Sequence, residues 1–224
     1  MTICHRTGNG TWRTISVSCH ALPAHLAHGD YVAPPEGCPP PRAYSQRFTD
    51  VAQGHTFFND IMDLNDRGVI GGYPDGTYRP DNSTTRAQLV KVVVLAFNYT
   101  LINPPNPSFS DVPRTHPFYT YIETAVANGL IGGYSDGTFR PENNVTRGQI
   151  AKIVILATGY ALKNPSTPTF IDVVPAHTFF REIETASSHG IIGGYNDGTF
   201  RPDANATRGQ IAKMVNVATF MASP

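Results

Sequence analysis

The chain has 224 residues, and its 17 Lys and Arg balance its 17 Asp and Glu, so its formal net charge at pH 7 is zero. A balanced charge supplies no long-range field that would favour nucleic acid or a membrane surface as a partner. No stretch reaches the roughly 18 consecutive apolar residues of a membrane-spanning helix. The sequence therefore predicts neither a nucleic-acid partner nor a membrane span.

Composition also bears on where the protein works. The first residues lack the basic and apolar regions of a signal peptide. Charged residues make up only 15% of the chain, and there are 20 Gly and 19 Pro. This composition is typical of extracellular bacterial proteins, so we expect a secreted protein of which the mature part is given.

Residues 1–40 are predicted to form a small N-terminal module. Two β-prone runs, beginning at Thr2 and Trp12, flank the turn sequence at residues 8–10 and predict a β-hairpin. Residues 21–30 predict a short helix with Gly29 as its C-cap. Prolines between residues 34 and 41 predict an extended linker.

All three cysteines lie in the first 38 residues. A module of about 40 residues usually needs a metal, a disulfide or a partner to be stable. His25 and His28 lie three residues apart and would share one face of the predicted helix. Thiolate and imidazole ligands together suit zinc or copper. The predicted metal ligands are Cys4, His5, His25, His28 and Cys38. A Cys4–Cys38 disulfide with surface histidines is the alternative.

The rest of the chain repeats with a period of 61 residues in three copies, predicted at 44–105, 106–166 and 167–224. Each copy opens with Phe-x-Asp-Val and then His-x-aromatic, which begins an amphipathic helix. A glycine caps that helix, and a loop of sequence Gly-Gly-Tyr-x-Asp-Gly-Thr-aromatic-Arg-Pro follows. The capping glycines are Gly68, Gly129 and Gly190.

A second helix begins at a Thr-Arg-x-Gln motif in each copy. The threonine and the glutamine form a capping box, for example Thr85 with Gln88. Apolar residues follow at helical spacing, for example Ile150, Ile153 and Val154. The predicted fold is therefore mostly α, with three helix-loop-helix repeats and a small β-hairpin module.

One arginine per copy needs an explanation beyond folding. It occupies the first position of the second helix, where the helix dipole disfavours a cation. We expect its side chain to point towards the loop and solvent. It pairs with a nearby carboxylate such as Asp75, or binds an anion together with free helix N–H groups. The two roles are compatible, because a paired arginine can still present its remaining donors. These arginines are Arg86, Arg147 and Arg208.

Together these motifs closely resemble S-layer homology (SLH) repeats. The resemblance implies an α-helical pseudo-trimer whose second helices form a central bundle. It also implies non-covalent binding of anionic cell-wall polysaccharide in grooves between the repeats. By position, the implied polysaccharide-binding residues are Arg86, Arg147, Arg208, Gly72, Gly133, Gly194, Asp75, Asp136 and Asp197. The N-terminal stretch resembles a small Cys/His-rich bacterial module of unknown function.

The chain departs from the family pattern at two positions of each repeat. Glutamine replaces the glutamate of the Thr-Arg-Ala-Glu motif, which keeps the capping box and removes a charge. Phenylalanine replaces the tryptophan that is common after the histidine. These phenylalanines are Phe57, Phe118 and Phe179.

Two functions follow from these patterns. The first is a cell-surface module that holds the protein to wall polysaccharide. The alternative is a structural subunit that assembles into a surface layer or filament, its N-terminal module docking on a neighbouring copy, with a metal at the joint. No nucleophile with a base, phosphate loop or paired carboxylates is apparent, so no enzyme activity is predicted. The histidines at 55, 116 and 177 are expected to cap or pack.

Overall fold

The computed structural model of the chain describes residues 2–6, 12–16, 31–32 and 44–222. Three strands lie in the N-terminal part: β1 (Thr2–Arg6), β2 (Trp12–Ser16) and β3 (Tyr31–Val32). Within the described repeats, the helices in chain order are α1 (Phe58–Asp66), α2 (Arg86–Ala96), α3 (Tyr119–Ala127), α4 (Arg147–Thr158), α5 (Phe180–Ser188) and α6 (Arg208–Met221). The predicted mostly α fold is confirmed.

The N-terminal strands form one antiparallel sheet with β1 in the centre. Ile3 pairs with Ile15 of β2 and with Val32 of β3. The predicted hairpin is therefore confirmed, whereas the third strand was not predicted. Ile3 and Cys4 are fully buried, and Cys4 is disulfide-bonded. The predicted helix at 21–30 and the proline-rich linker lie outside the described residues.

The first helix of each repeat is set by its flanking residues. Before α1, Nδ1 of His55 accepts a hydrogen bond from the backbone N–H of Phe57 at 3.2 Å, and the other two repeats have the same bond. After the helix, Gly68 has a φ of 72°, and its equivalents have φ values of 68° and 71°. This left-handed backbone suits glycine at a helix end. The predicted glycine caps are confirmed, and each histidine bonds and packs on the residue that precedes its helix, as expected of residues that cap or pack.

The second helices begin at complete capping boxes. In α2, the hydroxyl of Thr85 accepts from the backbone N–H of Gln88, and the side chain of Gln88 accepts from the backbone N–H of Thr85. The same boxes start α4 and α6. The predicted apolar residues of α4, including Ile150 and Val154, are buried. Burial and capping together fix where each of these helices begins.

The helices pack across repeats rather than within them. The second helices α2, α4 and α6 contact one another and form the central bundle. Each first helix packs mainly on the second helix of the preceding repeat: α3 on α2, α5 on α4, and α1 on α6, which closes the ring. Each repeat therefore completes its core with its neighbours, and the predicted pseudo-threefold bundle is confirmed.

A ring of backbone hydrogen bonds joins the repeats just before the second helices. The N–H of Thr84 donates to Ala206 O at 3.2 Å, that of Ala206 to Val145 O at 2.9 Å, and that of Val145 to Thr84 O at 3.0 Å. The three residues occupy equivalent positions and are buried. The ring holds the amino ends of α2, α4 and α6 close together.

Candidate functional site

The predicted binding residues lie where one repeat meets the next. We call these contacts junctions: each consists of the start of a second helix and the glycine loop of the following repeat. Junction 1 joins the start of α2 to residues 132–143. Junction 2 joins the start of α4 to residues 193–204. Junction 3 joins the start of α6 to residues 71–82 and closes the ring.

Backbone groups of the helix start are occupied at every junction. At junction 1, the N–H of Arg86 donates to Asn143 O at 2.9 Å, and that of Ala87 to Pro141 O at 3.1 Å. The next N–H is capped by Thr85. Equivalent bonds form at junctions 2 and 3. The prediction of free helix N–H groups beside the arginine is therefore wrong, because the following repeat already satisfies them.

The junction arginine reaches into the loop of the following repeat. Nε of Arg86 donates to Phe139 O at 2.9 Å, and Nη2 donates to Gly132 O at 3.1 Å. The other pairs are Arg147 with Phe200 (2.7 Å) and Gly193 (3.3 Å), and Arg208 with Tyr78 (2.8 Å) and Gly71 (3.2 Å). The side chains thus brace the ring of repeats.

The burial of the junction arginines differs from the expectation, drawn from the sequence, that their side chains point to solvent. Arg86 and Arg147 are each only 6% exposed, whereas Arg208 is half-buried. Burial is the main cause that lowers the pKa of the Arg86 and Arg147 guanidinium groups. The expectation was wrong for these two arginines, because the loop of the next repeat covers them.

Aromatic rings complete the surroundings of each guanidinium group. Cζ of Arg86 lies 4.6 Å from the ring centroid of Phe139 and 5.2 Å from that of Tyr134. The other two arginines have the same pair of rings at 4.3–5.2 Å. A cation over an aromatic face is attracted by the ring quadrupole. Carbonyl oxygens and rings are therefore the direct contacts that stabilise this charge.

The predicted pairing of the junction arginine with a carboxylate is wrong. Asp75 pairs instead with Arg79 of its own loop, at 2.8 Å, and the equivalent pairs form in the other repeats at 2.8 and 2.9 Å. Among the described residues, no carboxylate lies within the 4.0 Å of an ion pair to Arg86, Arg147 or Arg208. Within the part of the chain that the structure describes, each junction thus holds a guanidinium group with no carboxylate in ion-pair contact, although Asp111 and Asp172 attract Arg86 and Arg147 from further away.

The loop aspartates fold the loop. Oδ1 of Asp75 accepts from the backbone N–H and the hydroxyl of Thr77, at 3.0 and 2.6 Å. The hydrogen bond from the Thr77 hydroxyl, followed by that from Arg79, lowers the pKa of Asp75 to about 2. Asp136 and Asp197 have the same bonds and the same pKa of about 2. These carboxylates border the junction as fixed, ionised groups.

The sequence reading missed the second arginine of each loop. Arg79 has a φ of 59°, and its guanidinium lies 3.9 Å from the ring centroid of Tyr73. The carboxylate of Asp50 holds this strained turn, because it accepts the backbone N–H groups of Tyr78 and Arg79 at 2.8 and 2.6 Å. The residues equivalent to Arg79 in the other repeats are Arg140 and Arg201. An arginine four residues after an aspartate in every copy was the available signal.

The predicted glycines are needed for close packing. A Cβ on Gly72 would lie 2.5 Å from the ring of Phe48 and 2.6 Å from Thr77 O. Gly133 and Gly194 are crowded in the same way by the equivalent phenylalanine. Each precedes the loop tyrosine and directly follows the glycine whose carbonyl accepts the junction arginine. These residues therefore let the loop fold tightly against the phenylalanine that opens its own repeat.

The phenylalanines after the histidines also pack at junctions. The ring of Phe179 contacts Gly148, where a Cβ would lie 2.6 Å from it, and the ring of Phe57 crowds Gly209. Phe57, Phe118 and Phe179 are each half-buried. These rings pack on the start of the preceding second helix, and part of each remains exposed.

The predicted N-terminal metal site is only partly described. Cys4 is disulfide-bonded, with its partner outside the described residues. His25, His28, Cys38 and the side chain of His5 also lie outside them. Among residues 2–6, 12–16, 31–32 and 44–222, no cluster of three or more His, Cys, Asp or Glu could hold a metal ion. The zinc or copper site stays a prediction.

Comparison with known proteins agrees with the geometry. A ring of three helix-loop-helix repeats with an arginine at each junction defines a pseudo-trimeric repeat protein. The S-layer homology domain matches residues 47–90, 108–151 and 169–212, together more than half of the chain. The chain belongs to the S-layer homology family, which indicates a secreted, cell-wall-binding surface protein. The resemblance to S-layer homology repeats that the sequence motifs indicated is therefore confirmed.

Several curated proteins are similar to this chain. Cell surface glycoprotein 1 of Acetivibrio thermocellus is 33% identical over 164 residues, 68% of this chain and 7% of that protein. The cellulosome-anchoring protein of the same organism is 29% identical over 66% of this chain and 34% of its own length. An endoglucanase of a Bacillus species is 30% identical over 75% of this chain and 18% of its own length.

These relatives are much longer than the matched region, since the chain spans between 7% and 34% of their length. The shared part is the region of the repeats. Within the described ranges of this chain, no helix has the length and hydropathy to cross a membrane.

Proposed function

We propose that the chain binds an anionic cell-wall polysaccharide non-covalently through its three junctions, and that it has no catalytic role. The observation that carries this proposal is the guanidinium group at each junction, which has no acidic partner among the described residues. A cation removed from water is costly when no carboxylate is in ion-pair contact with it, and Asp111 and Asp172 attract Arg86 and Arg147 only from beyond that distance. An anionic ligand group would lower that cost.

Hydrogen-bonding capacity at the junction supports the same ligand class. Nε and Nη2 of each junction arginine donate to loop carbonyls, so Nη1 is left for a ligand. Arginine suits carboxylate and phosphate groups because its donors form a planar fork. A carboxylate-bearing sugar would therefore find a charge-assisted donor beside exposed loop residues.

Charge contributes more than ring stacking to this recognition. The loop tyrosine Tyr73 is already contacted by two guanidinium groups, those of Arg79 at 3.9 Å and Arg208 at 5.2 Å. The equivalent tyrosines have the same two neighbours. A sugar ring would have to displace an arginine to stack there. We therefore expect binding that weakens as salt concentration rises.

The titratable groups beside the junctions are poorly suited to catalysis. The pKa of Asp75, lowered to about 2, keeps it ionised and unable to act as an acid near neutral pH. The carboxylate of Asp50 is occupied by two backbone N–H groups. Nδ1 of His55 accepts a backbone N–H. These bonds support a binding role, and they extend to the other two repeats.

A cosedimentation experiment with purified bacterial cell walls tests the proposal. One variant carries Arg86, Arg147 and Arg208 changed to Gln, and the matched control carries Arg79, Arg140 and Arg201 changed to Gln. Both variants lose three positive charges. We expect the wild type and the control to sediment with the walls, and the junction variant to stay in solution. Circular dichroism confirms that each variant is folded.

Equal binding by both variants, or equal loss in both, would contradict the role of the junctions. Equal binding would show that the junction arginines are dispensable. Equal loss would show that the walls respond to net charge alone.

A second candidate is a subunit of a self-assembling surface layer or filament. The observation that favours it is an apolar surface in the third repeat, where Ile171 is 75% exposed and Val174 is 54% exposed. Threonine and serine occupy the position of Ile171 in the other repeats. In this proposal, the N-terminal module of a neighbouring copy docks on the chain. Electron microscopy would show ordered fibres or sheets, and monodisperse particles would contradict it.

A zinc or copper ion at that joint remains part of the second candidate. A disulfide sulfur is not a thiolate ligand, so a site that includes Cys4 requires the reduced module. Elemental analysis of the protein purified with and without reductant would test it. We expect stoichiometric metal only in the reduced sample, and its absence from both samples would contradict the proposal.

A further inference from the structure

The three junctions have the same bonds but unequal access to solvent. At junctions 1 and 2 the arginines are 6% exposed, and their bonds to the aromatic carbonyl are buried. At junction 3 Arg208 is half-buried, its bond to Tyr78 O is only partly buried, and its bond to Gly71 O is exposed. Junction 3 therefore presents its guanidinium group more openly than the other two.

Access decides how much an arginine contributes to binding. A ligand anion gains a charge-assisted hydrogen bond only where it can reach a free N–H of the guanidinium group. A side chain that is 6% exposed offers little surface for this contact, so Arg86 and Arg147 serve mainly to brace the loops. Arg208 makes the same bracing bonds and still presents part of its group.

The packing beside junction 3 is also different. It closes the ring between the third and the first repeat, which are not consecutive in the chain, through the pair α1 and α6. This pair is joined by polar side chains: Arg67 donates to Asn216 at 3.3 Å, and Asn216 donates to Asp60 at 3.2 Å. At the position of Asn216, α2 and α4 carry the buried apolar residues Val94 and Ile155.

We propose that junction 3 is the principal anion-binding subsite of this chain, with Arg208 as its specificity-determining residue. The expected ligand group is a carboxylate borne by a wall sugar, and the inference rests on the proposed function. Junctions 1 and 2 then contribute mainly to the stability of the ring.

Two loop glycines allow a matched test that leaves every arginine in place. Gly71 and Gly132 are equivalent residues whose carbonyls accept Nη2 of Arg208 and Arg86. Both are exposed, neither has a positive φ, and a Cβ on either would meet no atom within 4 Å. A Cβ at either position therefore fits the fold, and we expect the carboxylate of a glutamate there to lie near the arginine, because the carbonyl of the same residue accepts from that guanidinium group.

The measurement is the affinity of the full chain for purified secondary cell-wall polysaccharide, by isothermal titration calorimetry at low salt. We expect Gly71→Glu to weaken binding about tenfold or more, because the new carboxylate competes with the ligand, and Gly132→Glu to change it less than about twofold. Gly71→Gln, of the same size and without charge, should bind more tightly than Gly71→Glu. Melting temperatures confirm that the variants are folded.

The outcomes separate this inference from the proposed function. Equal losses in Gly71→Glu and Gly132→Glu, or a larger loss in Gly132→Glu, would overturn the special role of junction 3 while leaving polysaccharide binding intact. A loss in Gly71→Gln as large as in Gly71→Glu would overturn the anionic ligand group. No binding by the wild type would instead refute the proposed function itself.

Discussion

Arg208 and Tyr78 are joined by two hydrogen bonds that close the ring of repeats. Nε of Arg208 donates to Tyr78 O at 2.8 Å, and the hydroxyl of Tyr78 donates to Arg208 O at 3.3 Å. Burial is the main cause that raises the pKa of Tyr78 to about 12, so its hydroxyl stays a donor across the physiological range. Phe139 and Phe200 occupy the equivalent positions, so the second bond belongs to junction 3.

Tyr78→Phe tests the contribution of that second bond. The change removes one hydrogen bond and makes junction 3 resemble the other two. We expect the free energy of unfolding to fall by about 0.5–1.5 kcal/mol, as is typical for one hydrogen bond. Urea denaturation measures the free energy of unfolding. Phe139→Tyr adds a hydroxyl at the equivalent position of junction 1 and checks that a hydroxyl does not stabilise every junction. An unchanged or raised stability of Tyr78→Phe would contradict the assignment.

Thr84→Val should stabilise the protein. Oγ1 of Thr84 is buried and has no hydrogen-bond partner. Val145 occupies the equivalent position in the second repeat, so the site accepts a methyl group there. Removing an unsatisfied buried hydroxyl is expected to raise the free energy of unfolding by about 1 kcal/mol.

Thr85→Val is the matched control for that prediction, since it alters the next residue. It removes the side-chain cap of α2 and should cost about 1 kcal/mol. Chemical denaturation of both variants provides the comparison. The account of Thr84 would be wrong if Thr84→Val lowered stability as Thr85→Val does.

Gly72→Ala should destabilise the loop, whereas Gly71→Ala should not. A Cβ on Gly72 would lie 2.5 Å from the ring of Phe48 and 2.6 Å from a backbone oxygen, which cannot move cheaply. We expect a loss of about 1–3 kcal/mol, as is usual for overpacking. A Cβ on Gly71 meets no atom within 4 Å. Equal thermal stability of the two variants would contradict the close-packing role.

Stability should fall as pH falls through the titration of His189. Its ring stacks on Tyr160 with centroids 3.9 Å apart. Burial, followed by the charge of Lys163, lowers the pKa of His189 from its ordinary 6.5. The unfolded chain therefore binds the proton more readily, so this contribution is complete above about pH 6.5 and is lost as pH falls towards the folded-state pKa.

Denaturant midpoints at about pH 7.5 and pH 5.5 measure this dependence. His189→Asn is the control, because Asn128 occupies the equivalent position in the second repeat. The midpoint of the wild type should drop more between these pH values than that of the variant. Identical drops would show that His189 does not contribute to the pH dependence.

Features that depend on local sequence could be predicted. The capping box of Thr85 and Gln88 spans four residues, and the φ of Gly68 follows from its place after a helix, so short-range patterns were sufficient. The partner of Arg86 could not be predicted in this way. Its guanidinium binds the carbonyl of Phe139, 53 residues away, in a different repeat. That contact depends on the cyclic order of packing.

The pairing of Asp75 shows a second limit. Two arginines lie within reach of the loop, and a sequence does not rank their distances. The backbone turn at Arg79, with its φ of 59°, brings that side chain to Asp75, and the following repeat draws the junction arginine away. Sequence motifs thus identified the junction residues, while their roles depended on packing between repeats.

Cosedimentation of the wild-type chain with two preparations of the same cell walls tests the central claim most directly. One preparation is intact, and the other has been stripped of its secondary polysaccharide, which leaves the peptidoglycan. If the junction arginines bind an anionic wall polysaccharide, the protein sediments with the intact walls and stays in solution with the stripped walls. Equal sedimentation with both preparations, or none with either, would contradict the account.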